Sequence, residues 1–324
     1  MKNLNTPNES FVHNKSNCQT PVPLLVFGVS RSGTSYLHDL LKAHPQIHFS
    51  YESRTIREGN YYYSSHKNLQ DRQEFYKLLE ELCKCEEEEP INRWMLYVIN
   101  EYREELFRRH TINPSFSKLI ENIYMLPDPV RCWGTKLLRV EVCPELLHHW
   151  PNTKVVILIR DPRAVYSSQY KFYKMRVKYS AIYWNIHSNW TRKHAMNSSQ
   201  YLVIKYEDFV ENPSTELSKI LKLAEIYDTD VMEKMLTDHP PFKEGLSKWR
   251  KSLDTRDIYK IESICFDEMK FWGYTPEVAH KPKQVGSLTK GLEALLNNAG
   301  SIPLDIHWWR RKKLLKRFLA LLRS

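Results

Sequence analysis

The chain has 324 residues, 42% of them hydrophobic and 27% charged, a balance typical of a globular protein with a sizeable core. Its formal net charge is +10, but seven Lys and Arg residues and no acid follow residue 305. That confinement of positive charge to the tail argues against nucleic-acid binding. The absence of an apolar run of about 18 residues and of a signal-peptide core predicts a cytoplasmic protein. The alternative is the Golgi lumen, with an anchor missing from this chain.

The first elements in chain order predict a strand, a helix and a second strand. Residues 1–20 are polar and rich in Asn, which predicts a disordered lead-in. The apolar run Leu24–Val29 predicts a strand buried on both faces of a parallel sheet, and a helical pattern follows over 34–43. A short strand near 47–50 then leads to the sequence Tyr-Glu-Ser-Arg at 51–54.

The rest of the chain alternates between helical and strand-like segments. A helical pattern runs from about 69 to 125, broken at Glu86–Glu89, where four consecutive glutamates predict a solvated turn. Helices dominate again from 214 to 271. Further strands are predicted at 134–138, 154–159 and 201–204. This alternation predicts an α/β fold: a single P-loop-like domain over 21–275 with a mainly parallel central sheet flanked by helices, and a tail over 276–324.

The loop Ser30–Ser35 has the composition of an anion-binding turn. It joins a buried strand to a helix N-terminus, where free backbone N–H groups and the helix dipole favour negative charge. Gly33 permits a close backbone approach, and Thr34 and Ser35 offer hydroxyl groups. A triphosphate loop would carry Lys at the position of Thr34, so a metal-bridged triphosphate is not expected. The alternative is a simple N-capped turn between strand and helix.

A second group of anion-binding residues follows the apolar strand at 154–159. The strand delivers Arg160 to its carboxyl end, and Ser168 lies about two helical turns further on. A guanidinium and a hydroxyl can bind a second phosphate, while Asp161 and Arg163 can instead pair with each other and orient the turn. Two phosphate sites on neighbouring strands suit a nucleotide with separate 5′ and 3′ phosphates.

The two loops, RSGTS and LIRDPRAVYSS, resemble the cofactor loops of sulfotransferases that use 3′-phosphoadenosine 5′-phosphosulfate (PAPS). The closest pattern is that of the tyrosylprotein and carbohydrate sulfotransferases, and the similarity spans about 22–275. It includes RSGTSYLHDLLKAHPQIHFSYESR, WGTK at 133–136 and IKYEDFVENP at 204–213. The Asp-Pro-Arg turn at 161–163 is closer to the carbohydrate enzymes than to the tyrosylprotein ones.

The resemblance implies a role for each matched residue. The 5′-phosphosulfate would be held by Arg31, Ser32, Gly33, Thr34 and Ser35, and the 3′-phosphate by Arg160 and Ser168, with Tyr206 touching the nucleotide. Glu52 matches the general base, with an ion pair to Arg54 or Arg57 as the alternative. Arg54 matches a substrate-side arginine, and Lys136 and Ser247 match groups near the transferred sulfuryl. Lysine and arginine supply the positive charge, so no metal is expected.

The resemblance therefore implies transfer of a sulfuryl group from PAPS to a hydroxyl acceptor, with a carbohydrate as the expected acceptor. A glycan, a lipid-linked sugar and a peptide tyrosine are the partners to consider, so protein-tyrosine sulfation is one alternative. Others are a kinase-like transferase using ATP and a non-catalytic nucleotide- or membrane-binding module. In 306–324, leucines share one helical face opposite basic residues. Such a helix can contact an anionic membrane or pack on the domain.

Overall fold

The protein is built on one sheet of five strands. The computed structural model describes residues 21–86, 92–126, 128, 130–196 and 198–281. The strands are β1 (Val22–Gly28), β2 (Ile47–Tyr51), β3 (Cys132–Leu137), β4 (Lys154–Ile159) and β5 (Tyr201–Lys205). Their order in the sheet is β2-β3-β1-β4-β5, and every neighbouring pair is parallel.

The central strand β1 is buried on both faces because its side chains alternate between two apolar clusters. Leu25 and Phe27 pack into one cluster, whereas Leu24 and Val26 pack into the other. Helices therefore have to cover both faces of the sheet, as parallel sheets require.

Fourteen α-helices lie within the described ranges. They are α1 (Thr34–Ala43), α2 (Arg54–Ser65), α3 (Arg72–Glu86), α4 (Arg93–Glu101), α5 (Arg103–Ile112), α6 (Phe116–Met125), α7 (Cys143–His149), α8 (Pro162–Tyr173), α9 (Val177–Ala195), α10 (Tyr206–Glu211), α11 (Pro213–Leu223), α12 (Thr229–Asp238), α13 (Trp249–Ser252) and α14 (Thr255–Phe271). None of these helices is long and apolar enough to cross a lipid bilayer.

The strand order places a topological switch beside β1. The chain builds β2 and β3 on one side of β1 and then crosses to β4 and β5 on the other. Ligands of open parallel sheets bind at such a switch, outside the carboxyl ends of the strands. The α/β architecture with a parallel central sheet confirms the fold predicted from the sequence.

Two local predictions need correction. Helix α2 was not predicted, because its buried residues are only Thr55, Ile56 and Gly59 and leave no long apolar stripe. The solvated turn predicted at Glu86–Glu89 is wrong for Glu86, which is fully buried at the end of α3. The predicted lead-in at 1–20 and the basic segment 306–324 lie outside the described residues.

Candidate active site

A cleft of about 430 Å³ opens at the carboxyl edge of the sheet. It brings together most of the residues that the sequence singled out, from both sides of β1. The predicted residues that line it are Arg31, Gly33, Thr34, Ser35, Glu52, Lys136, Arg160, Ser168 and Tyr206. The first and second anion-binding loops therefore share one cleft with the predicted base.

The loop after β1 folds tightly against Tyr206. Gly33 has a φ of 96°, and a Cβ placed there would lie 2.3 Å from Cδ2 of Tyr206, so only glycine fits. Arg31 also takes a left-handed conformation, with a φ of 77°. The Ser32 N–H donates to the Val29 carbonyl at 2.9 Å, while the buried Ser32 Oγ has no hydrogen-bond partner among the residues that the structure describes.

The two predicted arginines are linked directly. Nη1 of Arg160 donates to the Arg31 carbonyl at 2.9 Å, and Nε of Arg31 donates to Ser168 Oγ at 2.9 Å. Phe172, at the exposed end of α8, lies over the Arg31 guanidinium, 4.4 Å from the ring centroid to Cζ. The parallel pairing of β1 with β4 accounts for this proximity, since both loops leave the sheet at the same edge.

Arg160 is a buried cation that lacks a carboxylate partner among the described residues. Its guanidinium lies over the Tyr206 ring at 4.3 Å, and Nη2 donates to the Gly245 carbonyl at 2.9 Å. Within the described ranges of the chain, the buried Nε has no hydrogen-bond partner. Burial lowers the pKa of Arg160, with Tyr206 and Glu207 opposing that shift. A buried guanidinium with an unused donor creates a strong site for an anion.

The alternative role considered for Arg163 is confirmed. Its guanidinium forms a bidentate pair with Asp161 and also donates to the buried Glu262 of α14 at 2.7 Å. Asp161 caps α8 through the Arg163 N–H at 2.8 Å, and its own N–H donates to Glu207 at 3.0 Å. These bonds fix the turn that carries Arg160, and they leave Arg163 unavailable to a ligand.

Glu52 and Lys136 form an ion pair across the ends of β2 and β3. Lys136 is buried, while the Glu52 side chain is 19% exposed to the cleft. The Glu52 N–H donates to the Lys136 carbonyl at 2.9 Å, and Glu52 has a φ of 48°. A carboxylate in this position can accept a proton from a hydroxyl bound in the cleft.

A buried network holds the strand end that carries Glu52. Asn92 accepts the Tyr51 N–H at 2.9 Å and donates to the Tyr51 carbonyl at 2.8 Å, so it fixes the preceding residue from both sides. Glu86 accepts from Asn92 at 2.6 Å and from the Arg54 and Thr55 N–H groups at 2.9 Å each. Burial raises the pKa of Glu86, whereas the bonds from Thr55 and Asn92 oppose that shift.

The predicted residues Ser32, Arg54 and Ser247 do not line the cleft. Arg54 starts α2 and pairs with Glu58 at 3.1 Å. Ser247 is exposed, and its neighbour Gly245 lies beside Arg160, whose Nη2 donates to the Gly245 carbonyl. The substrate and catalytic roles of Arg54 and Ser247 stay predictions.

Sequence reasoning missed three residues that shape the cleft: Tyr51, Glu86 and Phe172. Tyr51 directly precedes the predicted base, so its position next to Glu52 was a usable signal. Glu86 is the first of four consecutive glutamates, a pattern that predicts a solvated turn, so its burial was not expected. Phe172 lies three turns into α8, and the sequence does not indicate that this part of the helix reaches the cleft.

The sulfotransferase family model matches residues 23–230, more than half of the chain. The chain therefore belongs to the sulfotransferase family. The match spans both anion-binding loops, Glu52 and Lys136, which form the cleft described above. No curated protein sequence shows significant similarity to the chain.

Solved structures confirm the fold assignment. The sulfotransferase domain from the curacin biosynthetic pathway is 15% identical, with a TM-score of 0.51, covering 79% of this chain and 99% of that domain. The sulfotransferase domain from the olefin synthase of Synechococcus PCC 7002 is 14% identical, with a TM-score of 0.53, covering 82% of this chain and 99% of that domain. At these identities the similarity shows a common fold.

Proposed function

We propose that this protein transfers a sulfuryl group from PAPS to a hydroxyl group of a carbohydrate acceptor. The observation that carries the proposal is that Arg31 and Arg160, two cations with no carboxylate partner in the described part of the chain, share one cleft with the Glu52–Lys136 pair. The Asp-Pro-Arg turn at 161–163, which resembles that of carbohydrate enzymes, favours a glycan as the acceptor over a peptide tyrosine.

The residues of the cleft fit a nucleotide with two separate phosphates. Arg31 and the N–H groups through Ser35 would hold the 5′ end, and Arg160 and Ser168 the 3′-phosphate. Two buried polar atoms, Ser32 Oγ and Arg160 Nε, have no partner within the described part of the chain. Bound PAPS would supply a sulfuryl group activated by its attachment to the 5′-phosphate.

The remaining chemistry belongs to side chains that the structure positions. The Glu52 carboxylate would accept the proton of the acceptor hydroxyl as the oxygen attacks. The ammonium of Lys136 would stabilise negative charge that develops on the transferred group and its leaving oxygen, as cations do in phosphoryl transfer. Because both groups are fixed to adjacent strand ends, they need little reorganisation during the reaction.

The test is incubation of the purified protein with sulfur-labelled PAPS and a panel of glycans and tyrosine peptides. The expected result is a labelled glycan and one equivalent of adenosine 3′,5′-bisphosphate. Glu52→Gln should lower kcat by about 10²- to 10⁴-fold, the usual range for a general base. Full turnover by Glu52→Gln would reject the base, and labelled peptide instead of glycan would reject the carbohydrate acceptor.

A further inference from the structure

Tyr51 links the two halves of the cleft. It is the last residue of β2, and its register partner on the neighbouring strand is Lys136. Side chains at paired positions of a parallel sheet point to the same face, so the tyrosine ring and the lysine stem run side by side. Both residues also line the cleft. Tyr51 therefore lies next to the reacting groups without having been part of the site proposed above.

The face of the Tyr51 ring holds the ammonium of Lys136. Nζ lies 3.6 Å from the ring centroid, well within the range of a cation–π contact. The Lys136 side chain is 2% exposed, so this contact forms largely away from water, where it is strongest. The ammonium thus has the Glu52 carboxylate on one side and a ring face on another.

The hydroxyl of the same ring reaches the other half of the cleft. Tyr51 Oη lies 3.2 Å from Ser35 Oγ, in the loop after β1. The ring also packs against His38 of α1, with the centroids 5.1 Å apart and the planes nearly perpendicular. Asn92 holds the Tyr51 backbone by two hydrogen bonds. Backbone, ring and hydroxyl are all in contact, so the ring has little freedom to move.

We infer that Tyr51 is a positioning residue, which fixes Lys136 Nζ through its ring face and Ser35 through its hydroxyl. This inference rests on the proposed function. It assigns the contact with Lys136 to sulfuryl transfer and the contact with Ser35 to cofactor binding. A ring face holds the ammonium without neutralising it. A second carboxylate at this place would reduce the positive charge available to the transferred group.

Two variants separate the two contacts. Tyr51→Phe keeps the ring face and removes the hydroxyl, whereas Tyr51→Leu removes both. With the acceptor found in the panel, Tyr51→Phe should keep kcat within about twofold and raise the KM for PAPS about threefold, the effect of one neutral hydrogen bond. Tyr51→Leu should lower kcat about tenfold or more, since the ammonium loses its support. Equal kcat values for the two variants would overturn the inference.

A second measurement needs no acceptor and no turnover. A ring face 3.6 Å from Nζ shifts the signals of the neighbouring lysine methylene protons upfield. Carbon–proton NMR spectra should therefore show an upfield-shifted lysine signal in the wild type and in Tyr51→Phe. The signal should be absent in Lys136→Arg, which assigns it, and should return to the ordinary position in Tyr51→Leu. A lysine signal that is unchanged in Tyr51→Leu would overturn the inference.

The two measurements also separate this inference from the proposed function. A wild-type protein that shows the shifted signal but transfers no sulfuryl group would reject the proposed function and leave the placement of Lys136 by Tyr51 intact. A protein that transfers the sulfuryl group but shows no shifted lysine signal would reject the placement of Lys136 by Tyr51 and leave the proposed function intact. Thermal unfolding of each variant checks that Tyr51→Leu still folds. If Tyr51→Leu does not fold, the test rests on the shifted lysine signal of the wild type and on the kinetics of Tyr51→Phe.

Discussion

The two ends of the cleft differ in how their positively charged side chains are paired. Beside β1 and β4, Arg31 and Arg160 bond to a hydroxyl and to carbonyls, and no carboxylate of the described chain pairs with either. Beside β2 and β3, Lys136 pairs with Glu52, and both residues line the cleft. The first end, here called the donor end, therefore retains positive charge for an anion. The second, the acceptor end, is internally neutralised.

This difference indicates what each end accepts. A buried cation without a counter-ion is costly unless a ligand supplies the negative charge, which suits a nucleotide with phosphates at both ends. A neutralised pair of a carboxylate and an ammonium suits an uncharged hydroxyl, which needs a proton acceptor more than it needs a counter-charge. Substitutions at the donor end should therefore change nucleotide affinity, and those at the acceptor end should change turnover.

The largest effect on nucleotide affinity should come from Arg160. Arg160→Ala should weaken binding of adenosine 3′,5′-bisphosphate about 100-fold, or about 2.7 kcal/mol, because it removes charge-assisted hydrogen bonds from a buried site. Isothermal titration calorimetry measures this directly. The matched control is Arg57→Ala, since Arg57 pairs with Glu58 on α2, does not line the cleft and should leave the affinity within about twofold. Equal losses for the two variants would show that the loss is not specific to the donor end.

Gly33 tests the shape of the donor end. A Cβ at Gly33 meets both an unfavourable φ of 96° and the Tyr206 ring. Gly273 is the matched control, because its φ is 75° but a Cβ would find its nearest atom at 3.8 Å. Gly273→Ala should cost about 1 kcal/mol of unfolding free energy. Gly33→Ala should cost about 2–4 kcal/mol and weaken nucleotide binding about tenfold.

Urea unfolding and calorimetry give the two quantities for each glycine variant. If Gly273→Ala weakens nucleotide binding as much as Gly33→Ala does, general destabilisation accounts for the loss and the loop shape does not.

The two ends also differ in how far the sequence predicted them. The donor end could be predicted because each loop follows an apolar strand, and an arginine after such a strand must lie at the carboxyl edge of the sheet. At the acceptor end, the strand pattern placed Glu52 at a strand end, but the roles of Glu52 and Lys136 came from the resemblance. Their pairing with each other was not predicted: the ion pair considered for Glu52 was with Arg54 or Arg57, and Arg54 instead pairs with Glu58 on helix α2, which shows no apolar stripe.

Buried polar residues were the hardest to predict. Glu86 is buried because the first N–H groups of α2 need an acceptor, and that need arises only once α2 and α3 are packed together. Tyr51 likewise acquires its contacts only once α1 and β3 pack beside β2. Contacts of this kind depend on tertiary geometry, and residue spacing along the chain does not encode them.

Glu86 tests whether the acceptor end depends on the network behind it. Glu86→Gln replaces one acceptor oxygen with an NH₂ group, which would face the donors of Arg54, Thr55 or Asn92. The expected loss of unfolding free energy is about 2–3 kcal/mol, the usual cost of unsatisfied buried donors. We also expect kcat to fall severalfold with nucleotide affinity unchanged. Glu80→Gln, on the exposed face of α3, is the control and should change neither.

The smallest expected effect concerns the pH dependence of the stability of the fold. His187 is buried in α9, and neither ring nitrogen has a hydrogen-bond partner among the described residues; burial lowers its pKa to about 3. The unfolded chain binds this proton near pH 6.5, so the free energy of unfolding falls as the pH drops from 6.5 towards 3. His187→Phe should raise stability by about 1 kcal/mol at pH 7 and flatten the slope below pH 6.5.

Urea unfolding of His187→Phe and the wild type between pH 4.5 and 7.5 measures that slope. Parallel curves for the two proteins would show that His187 does not contribute to the acid sensitivity of the fold.

The role proposed for the donor end is to bind a nucleotide with separate 3′ and 5′ phosphates. Calorimetric titration of the wild-type protein with adenosine 3′,5′-bisphosphate, and separately with ATP and magnesium, measures that preference. We predict saturable one-to-one binding of the bisphosphate and at least tenfold weaker binding of ATP with magnesium. Tighter binding of ATP with magnesium, or no binding of the bisphosphate, would rule out this role.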